Sequence, residues 1–219
     1  MINTKRLRCT IGWLGMLLPW IVLLMSYSYG YGFPDSISAT YYIPTCITPF
    51  MIILGSSGLL LFSYKGYDNQ DDIVCSIAGA SALGICLFSC ATKDLVTRWS
   101  DLAELTKVGT FQVDPFVSGI LHNIFAICFF GLLAYNALFL FTKSVTKDKT
   151  KMTGGKKKRN LIFRICGFGM IVSFLAIVPI SIFELWGGVW IVETIALTFF
   201  GISWLTKANC YPWLFADKE

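Results

Sequence analysis

The chain has 219 residues, of which 55% are hydrophobic, 16% aromatic and only 14% charged, with a formal net charge of +5 and a mean hydropathy of +0.65. Soluble domains carry about 25% charged residues, so a water-soluble globule is excluded first. The abundance of apolar residues excludes a disordered chain, and eight cysteines placed mostly inside apolar runs do not describe a secreted disulfide scaffold.

What remains is an integral membrane protein. Six stretches, residues 11–29, 47–64, 73–90, 116–141, 161–185 and 189–206, are continuously apolar. Each is long enough to cross a hydrocarbon core of about 30 Å, which takes roughly 17–25 helical residues. The runs are apolar on every face, unlike the alternating strands of a barrel, and a helix satisfies its own backbone in lipid. The predicted fold is all-α: one integral membrane bundle of six transmembrane helices.

The first run follows Lys5, Arg6 and Arg8, as a secretory signal would, but residues 27–31 offer no small-residue cleavage site, so it is read as a retained helix. The second and third runs are joined by the turn 65–72 and the fifth and sixth by a short link at Gly187-Gly188, which makes each pair antiparallel neighbours. Small residues at 55–58, and Ser76, Ala80 and Gly84, permit close helix approach. The fourth and fifth runs, 26 and 25 residues long, predict tilt, overhang or a kink, with Pro179 the expected kink in the fifth. No residue pattern recurs between the two halves.

Cytoplasmic segments retain the excess of Lys and Arg. Alternate segments here carry fifteen and three, and the richer set includes the amino terminus, the loop around 143–164 and the tail, so both termini are expected in the cytoplasm. Tyr27, Tyr29, Tyr31, Tyr41, Tyr42, Trp186 and Trp190 are then expected in an outer interfacial belt, with Trp13 and Trp204 in the inner one. Room for folded substructure lies outside, at about 30–46 and 91–115.

An ionisable group within a span costs roughly 2.5–3.5 kcal/mol at mid-membrane, so each one is a candidate site. There are four: His122, Arg164, Glu184 and Glu193. Arg164, near the cytoplasmic end, is expected to snorkel, and Glu184 to sit at the interface. His122 and Glu193 fall at matched depths, roughly 6–9 Å below the outer surface at 1.5 Å per residue, where they could meet. Such a pair could bind a cation, move protons or activate water, or could be a hydrogen bond that fixes packing. Asn123, Asn136 and Asp114 are candidate extensions of the cluster.

A single histidine, with no HExxH or CxxC spacing, leaves no expected metal site; GxxxxGK[ST], GxGxxG and GxSxG are all missing, so nucleotide binding and esterase-type acyl transfer lack support and no cofactor is expected. The run 143–159 holds eight cations and one acid but no aromatic residue to stack bases, so nucleic acid is not an expected partner. It is read instead as a mobile cytoplasmic loop, 143–160, whose Lys156, Lys157, Lys158 and Arg159 touch anionic lipid. Cys75, Cys86, Cys128 and Cys166 should be free thiols; Cys46 and Cys90 share an outer depth that permits, without requiring, a disulfide.

The segment 32–42, with Pro34, Ile37 and Ser38, the residues 63–68, and Leu121-His122-Asn123 resemble uncharacterised bacterial six-span membrane proteins. More distantly they are similar to the Frag/DRAM/Sfk family, whose six-helix members carry a Pro…Ile-Ser motif in the first outer loop. Eukaryotic members are tied to lipid remodelling, lipid asymmetry or autophagy. The resemblance implies an outer-facing site of Ser36, Ser38, His122 and Glu193, and a bacterial inner (cytoplasmic) membrane as location. The function expected is binding or handling of membrane lipid through an outer-leaflet polar cavity. The alternatives are a small transporter or channel, against which the lack of charge in mid-span counts, and a membrane scaffold, with a homo-oligomer left open. A non-enzyme is favoured, since catalysis usually leaves more than two suggestive groups.

Overall fold

The structure, a computed structural model, describes residues 3–91, 105–143, 153–183, 185 and 187–211. Its helices are α1 (Thr4–Ser28), α2 (Pro44–Phe62), α3 (Asn69–Leu87), α4 (Pro115–Tyr135), α5 (Gly154–Ile182) and α6 (Gly188–Lys207). A 3-10 helix, Ser38–Tyr42, precedes α2, and a π-helical turn, Asn136–Leu140, extends α4. Among the described residues the extended structure is one isolated bridge between Val108 and Val113. The chain is all-α, and six helices are long and apolar enough to cross a membrane.

Polar caps, rather than the edges of the apolar runs, decide where the helices begin. The Asn3 side chain accepts the N–H groups of Lys5 and Arg6, and Thr153 accepts that of Lys156, so α1 and α5 each start seven residues ahead of the apolar stretch. Lys156–Arg159, expected in a mobile loop, are therefore helical; the rest of that loop, 144–152, lies outside the described residues. The extra length of the fourth span is taken up as the π turn, in which the Phe141 N–H reaches back to the Asn136 carbonyl. Pro179 stands in the last turn of α5, where the Phe183 N–H bonds its carbonyl and the helix stops.

Each helix packs on its neighbours in sequence and α6 closes back on α1, forming a ring of six. Two of these contacts bring backbone against backbone. A Cβ on Gly79 would stand 2.5 Å from the Gly58 carbonyl oxygen, and one on Gly201 would stand 2.7 Å from that of Gly12. The core is aromatic: Trp204 contacts Tyr64, Phe141 and Phe200 edge-on, and Phe129 packs against Phe200. This corrects two expectations, because Trp190 and Trp204, assigned from sequence to the interfacial belts, are 5% and 0% exposed. Trp13, Tyr27 and Tyr29 do remain exposed, and Trp186 and Glu184 lie outside the described residues.

The bundle has a loop end, to which α1, α3 and α5 run and from which α2, α4 and α6 return, and a terminal end, where α1 begins and α6 ends. At the terminal end Lys143 bridges Asp68 (2.8 Å) and Asp71 (2.9 Å), Lys65 pairs with Asp72 (3.0 Å), and Arg8 Nε donates to the Tyr64 hydroxyl (3.1 Å). Burial pushes the Tyr64 hydroxyl up to about 12 despite the opposing Arg8 charge, so it stays protonated. Cys9 and Cys210 form a disulfide across 201 residues, a pairing without a spacing signal in the sequence. Cys46 and Cys90 are not bonded to each other, and Cys75, Cys86, Cys128 and Cys166 are free.

Candidate functional site

The site at the loop end is built around the segment that links α1 to α2. The Ser36 hydroxyl accepts the Ala39 N–H (2.9 Å) and the Thr40 hydroxyl donates to the Ile37 carbonyl (2.6 Å), which shapes the 3-10 turn. The Ser26 hydroxyl of α1 donates to the Gly32 carbonyl (2.6 Å) and anchors the start of the segment. Its middle is stitched to α6 twice. The Asp35 carbonyl accepts the Trp190 N–H (3.2 Å), one of the first-turn donors that a helix cannot satisfy itself. One turn further, a Glu193 carboxylate oxygen accepts the Ile37 N–H (2.5 Å).

His122, on α4, holds the next residue. Its Nδ1 lies 2.8 Å from the Phe88 carbonyl oxygen at the end of α3, and its Nε2 lies 3.0 Å from Ser38 Oγ. A carbonyl can only accept, so Nδ1 carries the proton; in the neutral ring Nε2 is then the acceptor for the Ser38 hydroxyl. The imidazole is buried, while Ser38 is partly exposed. A hydroxyl aimed at an imidazole that a third group orients is the arrangement from which nucleophilic catalysis is built.

The expectation that His122 and Glu193 share one depth has a specific outcome. They bond to successive residues, Ser38 and Ile37, and so meet through the loop segment between them. Next to them the Ser118 hydroxyl donates to the Ser89 carbonyl (2.9 Å), and the Tyr42 hydroxyl lies 2.6 Å from the Cys90 carbonyl oxygen and 2.8 Å from Ser89 Oγ. Burial raises the pKa of Tyr42, which keeps it a neutral donor.

The remaining candidates divide. Ser36 belongs to the site by shaping the turn. Asp114 does not: it is the exposed N-cap of α4, accepting the N–H groups of Phe116 (2.8 Å) and Val117 (3.4 Å). Asn123 is exposed, because a residue adjacent to His122 in a helix points about 100° away from it. Asn136 is fourteen residues farther along α4, roughly 21 Å at 1.5 Å per residue, and its amide donates to Cys75 Sγ (3.5 Å). Among the described residues no three of His, Cys, Asp and Glu converge as metal ligands would.

Sequence reasoning missed one further group. The Trp190 indole, buried between Trp20 and Phe33 with centroids at 5.8 and 4.9 Å, has no hydrogen-bond partner for its Nε1–H among the described residues. Trp190 stands three residues before Glu193, on the same side of α6. A buried indole N–H normally finds an acceptor, so an unsatisfied one marks a place where an acceptor from outside the chain is favoured.

Of the basic candidates, Lys156 and Arg159 line a cavity at the terminal end, whereas Lys157 and Lys158 are exposed. No protein-family model, curated protein or solved structure matches this chain.

Proposed function

We propose that this chain binds and handles lipid at the outer face of a bacterial inner membrane, through the segment Asp35–Ser38 held between α4 and α6, with both termini in the cytoplasm. The observation that carries the reading is the convergence of His122 and Glu193, from two different helices, on the consecutive residues Ser38 and Ile37. Burying two ionisable side chains near the end of a span is costly, and a packing role alone needs neither a histidine nor a carboxylate. The unpaired Trp190 N–H supplies a donor for a lipid carbonyl or phosphate oxygen beside the same segment. The fifteen-to-three bias of basic residues supports the orientation.

The test is lipid retention. The purified chain is extracted in mild detergent and its bound lipid measured by mass spectrometry, with His122→Ala and Asn123→Ala beside it. Loss of a specific lipid in His122→Ala but not in Asn123→Ala is expected; equal retention in all three removes the support.

The Ser38–His122–Phe88 relay favours a second reading, acyl transfer from an ester-bearing lipid. His122 Nε2 would take the Ser38 proton as Oγ bonds to the ester carbonyl carbon. The imidazolium would return that proton to the leaving alcohol as its C–O bond breaks, and water would then hydrolyse the acyl-serine to free acid and regenerate the hydroxyl. A fluorophosphonate adduct on Ser38 that disappears in His122→Ala is the expected sign; an unlabelled Ser38 under conditions that label a control serine hydrolase excludes the reading.

A further inference from the structure

α4 turns one face out of the ring, and that face carries a polar group. At about 100° per residue, Phe116, Ile120, Asn123, Ile127 and Gly131 fall within roughly 80° of one another around the helix. All five are exposed. Asn123 stands eight residues after Pro115, the first of the helix, or roughly 12 Å along its axis. The span Pro115–Leu140 has 26 residues, roughly 39 Å against a hydrocarbon core of about 30 Å. Even with the whole excess of about 9 Å at the loop end, the Asn123 side chain lies within the core.

Among the described residues nothing is hydrogen-bonded to this side-chain amide. Two N–H donors and a carbonyl facing hydrocarbon have no water to bond, and leaving them unmet is costly. A second amide is the complement of the first, since each carbonyl accepts an N–H of the other. The same charge bias orients every copy of the chain, so Asn123 of two copies reaches one depth in the membrane. A two-fold axis along the membrane normal then brings the pair together. Gly131, about two turns farther along the same face, favours close approach. A Cβ there would meet nothing within 4 Å, so packing inside the chain does not require the glycine, whereas a second helix packed on this face uses the space.

We infer that this face of α4 is the contact between two copies of the chain, packed in parallel about a two-fold axis with the Asn123 amides hydrogen-bonded across it. The contact lies between chains, so the fold of each does not depend on it. It is turned away from the Ser38–His122 centre, and its failure leaves the lipid reading standing.

The full chain, carrying one fluorescent tag, is reconstituted into phosphatidylcholine vesicles over a series of protein-to-lipid ratios, and photobleaching steps are counted. A two-step population that grows with protein density is expected. Asn123→Leu should raise the density needed about tenfold, Asn123→Gln, which keeps the amide, should stay within threefold of the wild type, and Leu175→Ala, on the exposed side of α5, should change nothing. In a second arm, Asn123→Cys in a Cys128→Ser background is oxidised in the vesicles and should give a cross-linked dimer, whereas Leu175→Cys in that background should not. The inference is overturned if the wild type bleaches in single steps at every density, if Asn123→Leu pairs like the wild type, or if the two introduced cysteines cross-link equally. Gly131→Leu, which nothing inside the chain opposes, repeats the density comparison should Asn123→Leu fail to fold.

Discussion

The two ends of the bundle treat charge in opposite ways. At the loop end the ionisable groups His122 and Glu193 are engaged by neutral partners, a serine hydroxyl, a peptide N–H and a carbonyl, and are focused on two residues of one loop. At the terminal end charges meet charges: Asp68, Asp71 and Asp72 are neutralised by Lys143 and Lys65. A neutral hydrogen-bonded relay prepares a hydroxyl for contact or reaction, whereas the lysine–aspartate pairs tie the start of α3 to the end of the fourth span.

The largest effect is expected at the terminal end. Removing the 201-residue cross-link with Cys210→Ser should cost about 2–4 kcal/mol of stability, the usual range for a disulfide and below the about 5 kcal/mol that chain entropy alone gives for so long a loop, read as a lower Tm under non-reducing conditions. The same cysteines report orientation. The cytosol keeps thiols reduced, so the proposed topology predicts that maleimide tags both in intact cells and that they pair only after lysis. A bond already present in the cell would reverse the orientation and exchange the roles of the two ends.

Next comes His122→Ala, which strips both the Ser38 hydroxyl and the Phe88 carbonyl of a partner and should cost about 2–3 kcal/mol. Asn123→Ala, one residue away, should stay within about 0.5 kcal/mol; equal losses would mean that α4 is only fragile there. Asp114→Ala, which removes a cap and no site residue, should lose about 1 kcal/mol of stability while leaving lipid retention unchanged. The smallest effect is a pH dependence at the terminal end. The hydrogen bond from Lys143 holds the Asp68 carboxyl below its ordinary range. Its contribution is complete above the unfolded value of about 3.9 and is lost as pH falls through the lower folded value. For Lys143, burial acts downward but is outweighed by Asp68 and Asp71, so its pKa is raised and its contribution lasts until pH climbs through that raised value. Thermal scans across pH should therefore show an acid limb that Lys143→Gln flattens.

How much of this was legible in the sequence depended on where the signal resided. The six spans were readable because unbroken apolar length has no other explanation in a chain of this composition. His122 and Glu193 were readable because ionisable residues in a span are rare. Their partners were hidden: the Ile37 N–H and the Phe88 carbonyl are backbone groups that every residue carries. The extension to Asn123, Asn136 and Asp114 failed because nearness in sequence ignores helical rotation and rise. Trp190 and Trp204 were misplaced because an aromatic at a span end fits an interfacial belt and a packed place inside the ring of helices equally well. Cys9 and Cys210 stand at opposite ends of the chain, and only the closing of the ring brings them together.

If Ser38 and His122 hold lipid as one unit, a double-mutant cycle reveals it. Specific lipid retained by wild type, Ser38→Ala, His122→Ala and the double variant is compared at matched protein recovery. The account predicts that each single change removes as much as both together. Losses that add, or a Ser38→Ala chain that retains lipid like the wild type, would contradict it.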